Sequence, residues 1–199
     1  MPVVSLIAAS LIALPEIDPR NARSLLDAYP PSAQRQGKSG AIYVRRWVDQ
    51  AGNTYRCEVL QHFGDDMFRE AACKPLLRLR QRPAVSPAGA ATYAVLTTML
   101  KYITPGPNDD EIEALQQPAD VSLDVNPVGE HAPDFRIAVM VDEGGSVSHC
   151  EGFEGASGNH VELACGRARE LGQLVAGDAN GNPVAYVTTL LVRIAHAAS

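Results

Sequence analysis

The chain has 199 residues, is 46% hydrophobic and 20% charged, and carries 16 Gly and 14 Pro, values of a core-forming chain that exclude a disordered, collagen-like or coiled-coil one. Its net charge of −6 argues against a general nucleic-acid binder. That charge is unevenly placed: residues 23–102 hold 12 Lys and Arg against 6 Asp and Glu, whereas residues 103–199 hold 4 against 15. An asymmetry of this size marks two bodies with differently charged surfaces.

Residues 1–22 open with an apolar run from Val3 to Leu14. Twelve residues are too short for a membrane-spanning helix, which needs about 20. Two readings stand for this run: the apolar core of a signal peptide, with Ala8-Ala9-Ser10 as small cleavage residues but no preceding basic residue, or a buried N-terminal strand or helix.

The strongest internal signal is a repeat. Val48-Asp49-Gln50-Ala51-Gly52 through Cys57 reads against Val141-Asp142-Glu143-Gly144-Gly145 through Cys150 at an offset of 93. Cys73 then matches Cys165 at 92, and Thr97-Thr98-Met99-Leu100 matches Thr188-Thr189-Leu190-Leu191 at 91. Conserved order across the unit implies two tandem copies, 23–104 and 121–199, joined by a Pro- and Asp-rich linker over 105–120.

Within each copy the elements follow one order. Ala41–Val48 and Phe135–Val141 are β-rich, each runs into an Asp-x-x-Gly turn, and a second strand carries the first Cys, so each is a hairpin. Asp65 and Asp66 stand where a helix should be capped in the first copy; Asn159 with Glu162 three residues on resembles a cap in the second. Val161, Ala164, Cys165, Ala168, Leu171 and Val175 fall at helical spacing, as do Phe68, Ala72, Cys73, Leu76, Leu77 and Leu79, with Pro75 predicted to kink or split that helix. Tyr93–Ile103 and Ala185–Ile194 close the copies as Thr-rich strands. The fold class is α+β: two tandem β-β-α-β units, each one helix on a small antiparallel sheet.

In each copy one Cys lies on the second strand and the other on the helix that should cover it. Repetition of both positions favours Cys57–Cys73 and Cys150–Cys165 as disulfides. Four buried thiols are the rival; a zinc site is disfavoured because the spacings lack close ligand pairs. Alternation along the first strand sends Arg46 inward with Ile42, Val44 and Val48 and puts Trp47 on the opposite face. A buried Arg needs a partner, so Arg46 is either paired or snorkelling to the rim, and snorkelling is the expectation.

Catalytic signals are weak. His62, His131, His149, His160 and His196 show no metal-ligand spacing, and neither a nucleophile motif nor a phosphate-binding loop is present. Residues 177–182 read as a turn, not a calcium loop. The chain is therefore expected to be no enzyme, with no cofactor and no metal.

Tyr29-Pro30-Pro31 through Gly40, the strand and Asp49-x-x-Gly52, then Met67-Phe68-Arg69-Glu70 leading to Arg78, Arg80, Arg82 and Pro83, together resemble the TonB carboxy-terminal domain family over about residues 23–103. The second copy lacks the Tyr-Pro segment and the basic helix end, and joins the family through the repeat. The resemblance implies a non-enzymatic module in the periplasm of a Gram-negative bacterium, contacting an outer-membrane receptor segment or another envelope protein. In the family such a segment adds as a strand to the domain's sheet. The expected interaction residues are Tyr29, Pro30, Arg78, Arg80 and Arg82, with the strand edge at Tyr93, Val95, Thr97, Met99 and Lys101. Thr188, Leu190 and Val192 are its counterpart. The alternatives are two copies packing on each other and self-association of the protein, with neither nucleic acid nor a membrane span in this chain.

Overall fold

The computed structural model describes residues 12–19, 29–125, 134–153, 156 and 158–196. Most of the apolar run, with Ala8-Ala9-Ser10, and His131 lie outside them. The described end of that run belongs to the fold: Ile12 is buried, and Ala13 bridges Val85. A two-residue strand β1 (Glu16–Ile17) follows.

Helix α1 (Pro31–Arg35) starts on Pro31, whose missing N–H would have had no partner there. Strands β2 (Gly40–Val48) and β3 (Thr54–Phe63) form a hairpin through the Asp49–Asn53 turn. Asp65 caps α2 (Asp66–Ala71), its side chain accepting from the Met67 amide, and a break at Ala72 separates α2 from α3 (Cys73–Leu76). The split falls where Pro75 removes the amide that would have continued the ladder. Short strands β4 (Gln81–Arg82) and β5 (Ala84–Val85) lead to the long β6 (Ala91–Tyr102).

The segment read as a linker is structured: it contains α4 (Asp109–Ala114), with Ile112 2% exposed, and leads into a strand that was not anticipated, β7 (Val121–Val125). Strands β8 (Phe135–Val141) and β9 (Val147–Phe153) make the second hairpin. Helix α5 spans Asn159–Leu171; Gly158, not Asn159, occupies its N-cap position, and Gly172 at φ 64° ends it before Val175. Strands β10 (Ala176–Gly177) and β11 (Pro183–Val184) flank a turn over 178–182, and β12 (Tyr186–His196) closes the fold.

The strands assemble into one eight-stranded sheet with the path β3-β2-β6-β12-β8-β9, β5 pairing β6 and β7 pairing β12 off it. All hairpin pairings are antiparallel, but β6 and β12 are parallel and meet only at Tyr93 with Tyr186 and Ala94 with Val187. Two hairpin–helix–strand segments joined through parallel neighbours are related by a half-turn about the strand direction, which exchanges the faces of the sheet. The cores follow this rule. Ile42 and Val44 of β2 pack with Phe68, Ala72 and Leu76 on one face, whereas Ile137 and Val139 of β8 pack with Ala164, Cys165 and Ala168 of α5 on the other.

Each bare face is then covered from elsewhere. Trp47, on the β2 face away from α2, joins the core under α5, with the Arg56 guanidinium 4.3 Å from its ring centroid. Ala138 and Met140, on the β8 face away from α5, pack with Ile12, Leu14 and Val187. Local bonding recurs at nearly constant offset: the Gln81 amide donates to Gly52 and the Gln173 amide to Gly145. Both glycines have positive φ, 82° and 84°, and a Cβ on either would collide with those Gln carbonyls. Register pairs Leu100 with Ile42 and Val192 with Phe135, so the last strands correspond at an offset of 92, one more than the Thr-Thr alignment suggests.

Both disulfides are formed. Cys57 on β3 joins Cys73 at the start of α3, and Cys150 on β9 joins Cys165 on α5, with Cα separations of 5.6 and 5.8 Å.

Candidate functional site

After Ala94 the strands β6 and β12 separate, and a gap opens between them. On β12 the gap side is closed again: the Asp120 amide donates to the Leu191 carbonyl, the Leu191 amide donates to Asp120 Oδ2 at 2.7 Å, and β7 pairs in parallel from Val192 to His196. On β6, pairing with β2 covers one side from Ala94 to Tyr102, and among the described residues no strand pairs the other side beyond Ala94. The main-chain groups that point into the gap from Val95 onward are therefore a free strand edge.

The gap has two mouths. On the α5 face a cleft of about 310 Å³ is lined by Arg45, Val95, Thr97, Asp120, Leu171, Leu174 and Leu190 among others. On the opposite face a cleft of about 540 Å³ is lined by Leu14, Glu16, Arg46, Leu96, Thr98, Arg136 and Phe153. Thr97 and Thr189 border both, so the two clefts share one floor.

Electrostatics differ between the mouths. Burial holds the Asp120 carboxyl above its ordinary range, against the Leu191 amide and the guanidinium groups of Arg136 and Arg45. Arg46 does not snorkel. It is 8% exposed, its Nη1 donates to Gln81 Oε1 at 2.9 Å, and burial alone pulls its pKa down to about 10. The short strand β4, paired with β1 through Glu16 with Arg82 and Ile17 with Gln81, brings the Gln81 side chain to Arg46. Arg136 donates to Thr189 Oγ1 and, at 3.1 Å, to Gln117 Oε1.

The residues expected to act divide into three groups. Thr97, Met99 and Lys101 lie on the free edge of β6, Lys101 Nζ bonding the Glu113 carbonyl, whereas Tyr93 is paired with Tyr186 and Val95 is buried under α5. Tyr29 and Pro30 sit over the first core, where Tyr29 stacks on Phe68 and Tyr102 and donates to the Lys38 carbonyl. Arg78, Arg80 and Arg82 are exposed at the other end of the sheet, Arg80 bridging Asn53 and Arg82 paired with Glu16 at 3.1 Å. Of the counterpart residues, Thr188 and Leu190 face the α5-side cleft, and Val192 is held by β7.

Arg136, Asp120 and Gln81 were not singled out by sequence. The visible signal was Arg46, a charge at an inward position, whose partner must come from a segment that packs over it.

Residues 27–103 match the family described as Gram-negative bacterial TonB protein C-terminal, a stretch that takes in the first hairpin, α2, α3 and β6. The match supports the TonB C-terminal family for this part of the chain. No curated protein sequence matches the chain. Among the described residues no helix is long and apolar enough to cross a membrane.

Proposed function

We propose that the chain is a non-enzymatic protein-binding module of the Gram-negative periplasm. Residues 23–104 and 121–199 are two copies of one TonB-C-like unit, the second degenerate, with 105–120 between them. The module contacts an outer-membrane receptor segment or another envelope protein by adding that partner's extended strand to β6. The observation that supports this reading is the asymmetry of the gap: Asp120 and β7 close the β12 side, while among the described residues no strand pairs the β6 edge over Thr97, Met99 and Lys101.

Strand addition would place main-chain donors and acceptors of the partner against β6, and its alternate side chains into the two mouths of the gap. The two disulfides suit an oxidising compartment, where such bonds persist.

The test is a photoreactive residue at Met99, crosslinked in the presence of a receptor-derived segment and of a scrambled control. Adducts mapped to Met99 above control support strand addition. Equal labelling sinks it and leaves the structural alternative, an envelope protein whose two copies pack only on each other through Tyr93 and Tyr186.

A further inference from the structure

Helix α5 has an outer face that nothing covers among the described residues. Of the six large apolar side chains exposed there, four belong to α5 or to the turn that follows it: Leu163, Leu171, Leu174 and Val175, 41 to 53% exposed. Single exposed leucines are ordinary, whereas a cluster on one element marks a contact surface. With Ala164, Cys165 and Ala168 turned to the sheet, the helical period sets Leu163, Gly166, Arg167 and Glu170 on the outside and Leu171 at their flank. Leu171 and Leu174 reach the lip of the α5-side cleft, but Leu163 lines neither cleft.

The charges on this face select its occupant. Residues 103–199 hold 4 Lys and Arg against 15 Asp and Glu, yet two of those four, Arg167 and Arg169, stand on α5 with Glu162 and Glu170. The helix is thus a neutral surface on the acidic half of the chain, where a second copy approaches without the repulsion that a net negative surface would impose. The order of its residues is also self-complementary. Two α5 helices laid antiparallel, about a two-fold axis level with Ala168 and Arg169, set Arg167 opposite Glu170 of the second copy at two symmetric places. The same register brings Leu171 against Gly166, where a Cβ would meet nothing within 4 Å, and Leu163 toward Leu174 and Val175. Within one chain Arg167 Nη1 lies 2.9 Å from Glu170 Oε2, and both side chains are at least half exposed, so exchange across the axis needs only side-chain rotation.

We propose that two copies of this chain associate through α5 as an antiparallel, isologous pair, Gly166 receiving Leu171 and Arg167 pairing with Glu170 across the axis. The proposal does not depend on strand addition to β6. One helix pair buries little area, so the dimer is weak and concentration-dependent.

The test is sedimentation velocity on the full chain with both disulfides formed, across the micromolar range. The parent is expected to show a monomer–dimer equilibrium. Glu170→Arg and Arg167→Glu, which each set like charges against one another across the axis, should weaken the dimer at least about tenfold, and the two together should restore it to within about threefold. Gly166→Leu fills the recess that receives Leu171 and should also weaken the dimer at least about tenfold. Because Gly is a poor helix residue and its outer side is open, that variant folds at least as well as the parent, which far-ultraviolet circular dichroism checks. A parent that stays monomeric throughout overturns the proposal and leaves the face to a different protein. A dimer that Gly166→Leu and the single charge changes leave unaltered overturns it too, since another surface would then hold the copies together. Failure of the double exchange to recover the dimer overturns the register.

Discussion

The inner edges of β6 and β12 begin as parallel neighbours and end in opposite conditions. Leu191 of β12, which corresponds to Met99 of β6 at the structural offset of 92, has its amide and carbonyl bonded by Asp120, and β7 takes over from Val192. Met99 has no comparable partner on its gap side among the described residues. The connecting segment leaves β6, folds α4 with Ile112 inward, and then runs alongside β12 as Asp120 and β7. One sheet thus has the β12 edge shut by the chain's own connection, and the β6 edge open among the described residues.

The two faces teach a related lesson. Parallel pairing of β6 and β12 puts α2 and α3 on one side and α5 on the other, so each half exposes a face that the other half or a flanking segment must cover. Trp47 is the clearest case, lying on β2 but buried 2% exposed with Ala164, Ala168 and Ala176. Trp47→Ala is expected to cost about 3–5 kcal/mol, the range for emptying a buried aromatic site. Urea unfolding followed by circular dichroism should show a single transition moved as a whole. Two transitions, with the second unmoved, would break the claim that the halves share a core.

The disulfides sharpen the comparison at the next level of energy. Each closes a loop of similar length, so removal of either pair is expected to cost about 3 kcal/mol through the unfolded chain. The helices they hold differ in grip: α2 and α3 bury Phe68, Ala72 and Leu76 with the adjoining Leu79, whereas α5 buries only Ala164, Cys165 and Ala168. A buried Phe or Leu contributes about 1.5–3 kcal/mol more than a side chain left in water, and Ala far less. Substituting Cys150 and Cys165 with Ser should therefore release α5 locally, with faster amide exchange over 159–171. The same change at Cys57 and Cys73 should lower global stability and leave α2 protected. Equal exchange in the two helices would show that packing, not the cross-link, holds α5.

Much of this architecture was legible residue by residue. Phe135–Val141 alternates apolar inward positions with Arg136 and Met140, and the strand has those bounds. The Cys positions repeat against a hairpin and a helix, and both pairs formed. The joined sheet was not legible, because only two residue pairs between distant strands carry it and they leave no local pattern. A signal was nonetheless present in Tyr43, Trp47 and Val95, apolar residues at positions facing away from the first helix, which mark strands buried on both faces. The connection misled for a compositional reason: Pro105, Pro107 and Pro118 punctuate it as a linker, yet Ile112 and Val121 anchor it. At the candidate site, alternation located Arg46 but could not show that Gln81 meets it, since β4 is only two residues long.

The smallest effect concerns the closed edge itself. Burial raises the Asp120 carboxyl above its ordinary range, so the fold favours its unionised form. A carboxyl raised on folding contributes stability that is complete below its unfolded value near 3.9 and is lost as pH climbs through the folded value. Asp65, lowered chiefly by the Lys38 hydrogen bond, and Asp178, lowered chiefly by Asn182, act in the opposite sense, their contributions fading as pH falls through their depressed values. Asp120→Asn isolates the first term, because an amide oxygen can still accept from Leu191 and no charge is left to desolvate. At neutral pH the variant should match or exceed the parent in stability, by less than about 1.5 kcal/mol, the upper net worth of one hydrogen bond. Its advantage should vanish on titration toward pH 4, as measured by urea midpoints at each pH. A variant that is less stable at neutral pH would mean that the charge of Asp120, set between Arg45 and Arg136, holds the β12 edge shut. The contrast between the two edges would then be electrostatic in origin rather than a matter of backbone pairing.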